Sequence, residues 1–402
     1  MKRFSRLIYD KNETSHSDEY YQKWAVKFNL VKSLSLISLL LAIIISVLFF
    51  ADGMTYDNVQ LLANVIDSEY NSMISDDSFG ITYTLDDDSV FDIYNENLII
   101  SSPTDVALYN MSGRRLYSYT VSYENPCLES NDRFFILYDL GGFGFSVYNK
   151  TGKIYEQNDY SYGILTAAVS DKGRYCIATK SRESNTCVFV YDSKHRVIGR
   201  YDNSLYLSSM AISDDGEFMA LSMLEAVDGV YNSVLWVYKL DTAELIYEKT
   251  NPEKLPLRVF FTEDNSVLLC CSDELFRYNK SGEAEYSCTY DSSRLSGIEF
   301  NGKDSLAMSF SYENSNSKNY MNCIDTSEKV VYNIPELSKV KKMSFFDDAL
   351  FVLSGNSIFR IKGEELSKKE LELQEEAETV YAISEYEVIV VYATHSEIIS
   401  IG

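Results

Sequence analysis

Short apolar runs separated by polar turns recur along most of the chain. The phrase LYNMSGRRLY (108–117) returns as VYNKTGKIYE (147–156) and as RYNKSGEAEY (277–286). In each copy an apolar run passes through Asn, a hydroxyl residue and Gly into a second, more polar run, which is the pattern of a β-hairpin. The Gly of each phrase, Gly113 in the first, is suited to the positive φ angle that such a turn requires.

A second hairpin pattern precedes the first one in each repeat. It reads AAVSDKGRYCIAT at 167–179, MAISDDGEFMALS at 210–222 and VFFTEDNSVLLCC at 259–271. The apolar runs are too short for helices and are rich in β-branched and aromatic residues, so they predict strands. Two hairpins for each repeat give four strands.

The repeat can be counted from the apolar residue that directly precedes the Asn of each turn, or from the equivalent residue in copies that lack the Asn. Eight such positions lie 37 to 47 residues apart, and they are Tyr109, Tyr148, Tyr191, Tyr238, Tyr278, Ile324, Ile361 and Ile401. A period near 42 residues with four strands is typical of a β-propeller blade. We therefore predict an all-β propeller of eight four-stranded blades, with seven possible should one of the weaker copies be irregular.

The eighth copy is incomplete, because the chain ends at Gly402 after three predicted strands. An open sheet edge favours aggregation. The segment GITYTL (80–85) alternates apolar and polar residues and has no other partner in the repeat. We predict that it completes the last blade, which makes residues 79–402 the propeller domain.

A single long apolar segment precedes the propeller. Residues 33–51 contain no charged side chain, enough for a transmembrane helix. Residues 1–32 hold seven Lys or Arg and four Asp or Glu, so the positive-inside rule predicts a cytoplasmic N-terminus and an extracytoplasmic propeller. Residues 52–78 are expected to form a stalk with a short helix at 55–67. The pattern favours an uncleaved signal anchor of a single-pass cell-membrane protein over a cleaved signal peptide.

Charge and composition narrow the partners and the chemistry. The formal net charge of −24 disfavours nucleic acid as a partner. The seven Cys and three His lack the spacing of metal sites, so free, largely buried thiols are expected and no metal or cofactor is predicted. No catalytic motif is present, the acidic run at Asp86, Asp87 and Asp88 lacks calcium-loop spacing, and GGFG (141–144) reads as a tight loop between strands.

Connections between the second and third strands differ in length between blades. Those at 181–186, 223–233 and 311–320 are predicted to be long, polar and aromatic loops. In a propeller such loops share one face, and long loops often carry binding residues. The candidate binding residues are therefore Arg182, Glu183, Glu225, Asp228, Tyr231, Tyr312, Glu313 and Tyr320.

The repeat resembles WD-repeat and quinoprotein-type propellers, since the turn at 148–152 is similar to the D-x-x-T-G turn of quinoprotein blades with Asn in place of Asp. The layout of one span, a Tyr56-Asp57-Asn58 stalk and a propeller also resembles a bacterial family of unknown function. Trp236 is the sole Trp after residue 24, which departs from the quinoprotein pattern. We expect a non-enzymatic module that binds a protein or peptide in the cell envelope, or serves as a scaffold there. The alternative is a quinoprotein-like or carbohydrate-active enzyme.

Overall fold

The fold is an eight-bladed β-propeller, as a computed structural model of the protein shows. The structure describes residues 24, 27–28, 31–44, 80–83, 88–131, 133–291, 294–312, 315–362 and 367–402. Eight four-stranded antiparallel sheets follow one another along the chain. The prediction of eight blades is confirmed, and the alternative of seven is wrong.

Seven blades each use four consecutive strands. They are Val90–Tyr94, Asn97–Ser101, Asp105–Tyr109 and Arg115–Thr120 in blade 1; Pro126–Ser130, Phe135–Asp139, Phe145–Asn149 and Gly152–Gln157 in blade 2; Ile164–Val169, Tyr175–Thr179, Thr186–Tyr191 and Val197–Asn203 in blade 3; Tyr206–Ile212, Phe218–Val227, Val230–Lys239 and Glu244–Pro252 in blade 4; Pro256–Phe261, Val267–Cys271, Glu274–Tyr278 and Ala284–Thr289 in blade 5; Leu295–Phe300, Ser305–Tyr312, Ser315–Asp325 and Val330–Ser338 in blade 6; and Val340–Phe346, Ala349–Ser354, Ser357–Lys362 and Ser367–Glu372 in blade 7.

Blade 8 joins the two ends of the propeller. Its strands Ala377–Ala382, Glu387–Tyr392 and His395–Ser400 are completed by Gly80–Thr82, which pairs antiparallel with the last of them. Ile81 lies opposite Ser396 and is only 3% exposed. The prediction that this segment completes the last blade is confirmed for residues 80–82, and residues 84–87 lie outside the described part of the chain.

The order of the strands in each blade determines what is buried. First strands of neighbouring blades contact one another and surround the central channel. Second and third strands are packed on both faces by adjacent blades, so Phe135–Asp139 is buried along its whole length. The outer strand Val197–Asn203 of blade 3 meets solvent and is mostly exposed. This gradient explains why apolar runs alternate with mixed runs in the sequence.

Antiparallel strand order gives the propeller two different faces. Connections from first to second strand and from third to fourth strand lie on one face, which we call the turn face. Connections from second to third strand, together with those between blades, lie on the other, which we call the loop face. The turn prediction is confirmed on the turn face, where Gly113 and Gly282 have φ angles of 78° and 80°. There, Asn279 Oδ1 accepts backbone hydrogen bonds from Ser281 at 3.0 Å and Glu283 at 2.9 Å.

The N-terminal region is described only in part. Residues 31–44 are helical, whereas 45–51 and the predicted stalk at 52–78 lie outside the described residues. Where the chain is described, no helix combines the length and the apolar character needed to cross a membrane.

Candidate functional site

The loop face is uneven, and its most prominent feature is a hairpin of blade 4. The sequence predicts a long loop at 223–233, but the structure continues the two strands to Val227 and Val230. Asp228 and Gly229 form the tight turn between them, with φ angles of 52° and 81°. An Asp-Gly pair favours this two-residue turn, and that signal in the sequence indicates a hairpin in place of a loop.

An open cleft of about 630 Å³ lies beside blade 3 on the same face. It is lined by Tyr162, Ser181, Arg182, Glu183, Ser184, Arg200, Asp202, Asn203 and Ser204. Arg200 pairs with Asp202 at 2.8 Å, and its hydrogen bond lowers the pKa of that carboxyl group. The side chains of Arg182 and Glu183 are exposed and make no hydrogen bond or ion pair with a described residue. These two predicted binding residues are therefore available to a ligand.

The other predicted binding residues are divided between the hairpin and blade 6. Glu225 and Tyr231 lie on the hairpin next to its turn, and the Tyr231 side chain is 54% exposed. Tyr320 lies within a strand, and its ring stacks on Phe310 with centroids 5.0 Å apart. Its ring thus packs between blades 5 and 6. Tyr312 ends the preceding strand, and Glu313 lies outside the described residues.

Exposed apolar side chains are concentrated along one arc of the loop face. Eight large ones lie in the connections and strand ends from blade 2 to the start of blade 5, and we call them the apolar arc: Leu140, Phe143, Tyr162, Tyr206, Val227, Val230, Tyr231 and Leu255. They are 38% to 59% exposed. The described connections of the loop face in the remaining blades contain no large apolar side chain that is exposed to this degree. Single exposed apolar residues are ordinary, whereas a concentration of them on neighbouring blades is a candidate interaction surface.

Sequence reasoning missed most of this arc. Phe143 belongs to the GGFG segment, which is the tight connection in blade 2 that the pattern predicts. Tyr206 and Leu255 lie at the starts of blades 4 and 5, where an apolar residue resembles the beginning of a buried strand. Their exposure depends on which residues cover them, which a linear pattern does not report.

Charged side chains also converge on the central channel. The first strands contribute the carboxylates of Asp92, Glu129 and Glu299 and the cations of Arg258 and Lys342. Burial raises the pKa of Glu129 to about 7, and Asp92 adds to the increase while Arg258 opposes it. Burial likewise raises the pKa of Asp92 and of Glu299. The channel is therefore a second candidate site.

The chemistry of the remaining reactive groups is limited. All seven cysteines are free thiols, in agreement with the prediction. Burial raises the pKa of Cys187 to about 11, which disfavours the reactive thiolate. Among the described residues, no group of three or more His, Cys, Asp or Glu side chains is arranged to hold a metal ion.

Comparisons with known proteins agree with this architecture. A model of a family of unknown function (DUF5711) matches residues 67–401, so the chain belongs to that family. The predicted resemblance to a family of unknown function with a propeller is confirmed. No curated protein matches the sequence.

Solved structures show the same fold at very low sequence identity. The C-terminal WD40 domain of Sif2 aligns with a TM-score of 0.55 and 9% identity over 81% of this chain and 99% of that one. BamB from Moraxella catarrhalis aligns with a TM-score of 0.53 and 10% identity over 79% of this chain and 97% of that one. At such identities the likeness supports the propeller fold alone.

Proposed function

We propose that this member of the DUF5711 family is a membrane-anchored, extracytoplasmic propeller that binds a protein partner of the cell envelope through the apolar arc of its loop face. The single observation that carries the binding role is that, among the described residues, the exposed large apolar side chains of the loop face lie between blade 2 and the start of blade 5. Burial of such side chains against a partner is favourable at roughly 25 cal/mol per Å² of apolar surface.

The geometry of the arc favours a protein over a small molecule. The arc spans several blades, and a specific protein interface takes roughly 800 Å² from each partner. Tyr231 stands at the end of the blade 4 hairpin, and aromatic residues in such positions often dominate binding energy. Arg182 and Glu183, in the adjacent cleft, would supply polar contacts at the rim. Because the chain carries a net charge of −24, we expect a partner surface that is apolar at its centre and basic around it.

The membrane anchor is supported by the character of the N-terminal helix. The large apolar side chains of residues 31–44 are all more than half exposed, and they lie around the whole circumference of the helix. A helix that is apolar on every side is costly in water and stable in lipid. The 19 uncharged residues at 33–51 and the basic segment before them complete this argument.

Partner binding is tested by recovery of crosslinked partners from host membranes with the full chain. The double variant Val227→Ser/Tyr231→Ser should lose the partner that the wild type recovers. The control Val197→Ser/Ile198→Ser removes apolar side chains of similar exposure, 52% and 47%, from the outer edge of blade 3. The control should retain the partner. Equal recovery by both variants would contradict binding through the arc.

The topology is tested on intact cells with a reagent that labels lysine and does not cross membranes. Propeller lysines should react before lysis, to the same extent as those of a known surface protein. Labelling only after lysis would show that the propeller lies inside the cell. For the enzymatic alternatives, quinoprotein-like or carbohydrate-active, the supporting feature among the described residues is the set of three carboxylates in the channel.

A further inference from the structure

The first strands that surround the central channel carry a repeated irregularity. In six blades the pairing register shifts near the start of the first strand, after its first residue in five of them and after its second residue in blade 4. The residues directly after the shift are Thr166, Ser209, Arg258, Gly297, Lys342 and Thr379. Arg258 and Lys342 therefore occupy equivalent positions in blades 5 and 7, at the end of the channel nearer to the loop face. We call this level the basic tier.

The carboxylates lie deeper in the channel. In blade 6, Glu299 lies two residues after Gly297 and one residue before the last paired residue of the first strand. In blade 2, Glu129 also lies one residue before the last paired residue of the first strand, so the two carboxylates occupy equivalent positions. Asp92 is held at the same level, because Ser130 Oγ donates a 2.6 Å hydrogen bond to its Oδ2 atom. We call this level the acidic tier. Two residues of a strand correspond to roughly 7 Å along the channel.

The carboxylates of the acidic tier and the cations of the basic tier form few ion pairs with one another. Lys342 Nζ lies 3.8 Å from Glu299 Oε2, a loose pair. The side chains of Glu129 and Arg258 face the same channel, yet neither makes a hydrogen bond or an ion pair with any described residue. Glu129 is surrounded by protein and left without a partner, which is costly, and folds keep such groups chiefly at functional sites. Arg258 is exposed, so its guanidinium is accessible from the channel.

We propose that the channel binds a small zwitterion, with its cationic group between Asp92 and Glu129 in the acidic tier and its carboxylate on Arg258 in the basic tier. The ligand enters from the loop face with its cation first. A guanidinium or ammonium group satisfies carboxylates with several donors, and Arg258 offers a bidentate partner to a carboxylate. The distance between the tiers matches an extended basic amino acid, such as arginine or lysine.

The charge balance of the channel favours a zwitterion over a ligand with a single charge. A plain anion at Arg258 would be repelled by Glu129 and Glu299, because both carboxylates interact with this guanidinium. A plain cation would leave Arg258 unpaired. A ligand with both charges satisfies both tiers at once. This site is separate from the apolar arc, so the proposed partner binding and the channel site can be tested independently.

The test is calorimetric titration of the purified full chain with L-arginine, L-lysine and agmatine, which is arginine without its carboxylate. Saturable binding of at least one of the two amino acids is expected, with agmatine at least tenfold weaker. Glu129→Gln should weaken binding of the amino acid at least tenfold. Arg258→Met should reduce it to the level of agmatine and leave agmatine itself unchanged. The matched controls Glu263→Gln and Lys172→Met alter exposed charges on the turn face and should bind like the wild type.

A melting-temperature measurement keeps the proposal falsifiable if a variant binds nothing. Because the pKa of Glu129 is raised to about 7, its contribution to stability is complete below the ordinary pKa of 4.5 and is lost as the pH rises through 7. Glu129→Gln should therefore melt at a higher temperature than the wild type at pH 8, and close to it at pH 5. A ligand concentration that saturates the wild type should raise the melting temperature of the wild type more than that of Glu129→Gln. Failure of both amino acids to bind the wild type, or equal binding by Glu129→Gln, would overturn the proposal.

Discussion

The two faces of this propeller are built from the same strands and are finished in opposite ways. On the turn face, Asn, Asp, Ser and Thr side chains form hydrogen bonds with the backbone of their own short turns. Buried arginines also form hydrogen bonds from one blade to the next. On the loop face, apolar side chains and the charged tip of the blade 3 loop are left to solvent. The turn face is stabilised by its own hydrogen bonds, whereas the loop face leaves apolar and charged side chains exposed.

Arg277 shows how the turn face is held together. This side chain is 9% exposed and donates to Asp264 and Thr326 at 3.0 Å each and to Glu285 at 3.3 Å. Thr326 belongs to the next blade, so the guanidinium connects blades 5 and 6. Arg182 on the loop face has no such partner among the described residues. The same residue type is structural on one face and unused by the fold on the other.

The largest difference between the faces is expected from removing these two guanidinium groups. Arg277→Met should lower the free energy of unfolding by about 3 kcal/mol, because it leaves the buried Thr326 hydroxyl without its donor and removes the charged hydrogen bonds to the more exposed Asp264 and Glu285. Arg182→Met should change it by less than about 0.5 kcal/mol. Denaturant midpoints of the full chain measure both variants. Equal losses would show that the comparison of the faces is wrong.

A smaller difference is expected at two glycines with nearly the same backbone. Gly282 on the turn face has a φ of 80°, and an added Cβ would lie 2.6 Å from Cγ of Tyr247 in the neighbouring blade. Gly229 on the loop face has a φ of 81°, and nothing lies within 4 Å of its added Cβ. Gly229→Ala therefore measures backbone strain alone, about 1 kcal/mol, whereas Gly282→Ala adds a clash and should cost about 2 kcal/mol or more.

Thermal melting of the two glycine variants separates strain from packing, since the φ angles are matched. A loss for Gly229→Ala as large as that for Gly282→Ala would mean that contact between blades contributes nothing at this turn. The ordering of the two variants is the prediction, and it does not depend on the absolute values.

The smallest effect concerns the pH dependence of the turn face. Burial alone would raise the pKa of Asp264, but hydrogen bonds from Thr262 and Ser266 and the charge of Arg277 lower it to about 2. Its contribution to stability is therefore present above the ordinary pKa of 3.8 and is lost as the pH falls through 2. Because this side chain is 60% exposed, solvent screening limits the contribution to less than about 1 kcal/mol.

Comparison of the wild type with Asp264→Asn between pH 2 and pH 5 measures that contribution. The wild type should be the more stable protein at pH 5, and the difference should shrink toward pH 2. A difference that stays constant over this range would show that the carboxylate is not stabilised by its ionisation. Arg277→Met should reduce the same pH dependence, because it removes one of the three causes.

The sequence by itself determined the repeating unit of the protein. Strands, hairpin turns and their period depend on neighbours within a few residues, so the Asn-hydroxyl-Gly turns and the eight anchor positions were readable without a structure. The pairing of residues 80–82 with the last blade was predicted from the missing fourth strand of the last repeat. The apolar segment at 33–51 likewise predicts an anchor by its composition, and that prediction still awaits its test.

Only the tertiary structure decided which side chains the ring brings together. Glu129 and Arg258 are more than a hundred residues apart and interact electrostatically because blades 2 and 5 face one channel, a consequence of ring closure that no local pattern encodes. Tyr320 and Tyr231 look alike as loop residues in the sequence, yet one stacks between blades and the other stands in solvent. Exposure and convergence are properties of the packed blades, whereas strand and turn are properties of the chain.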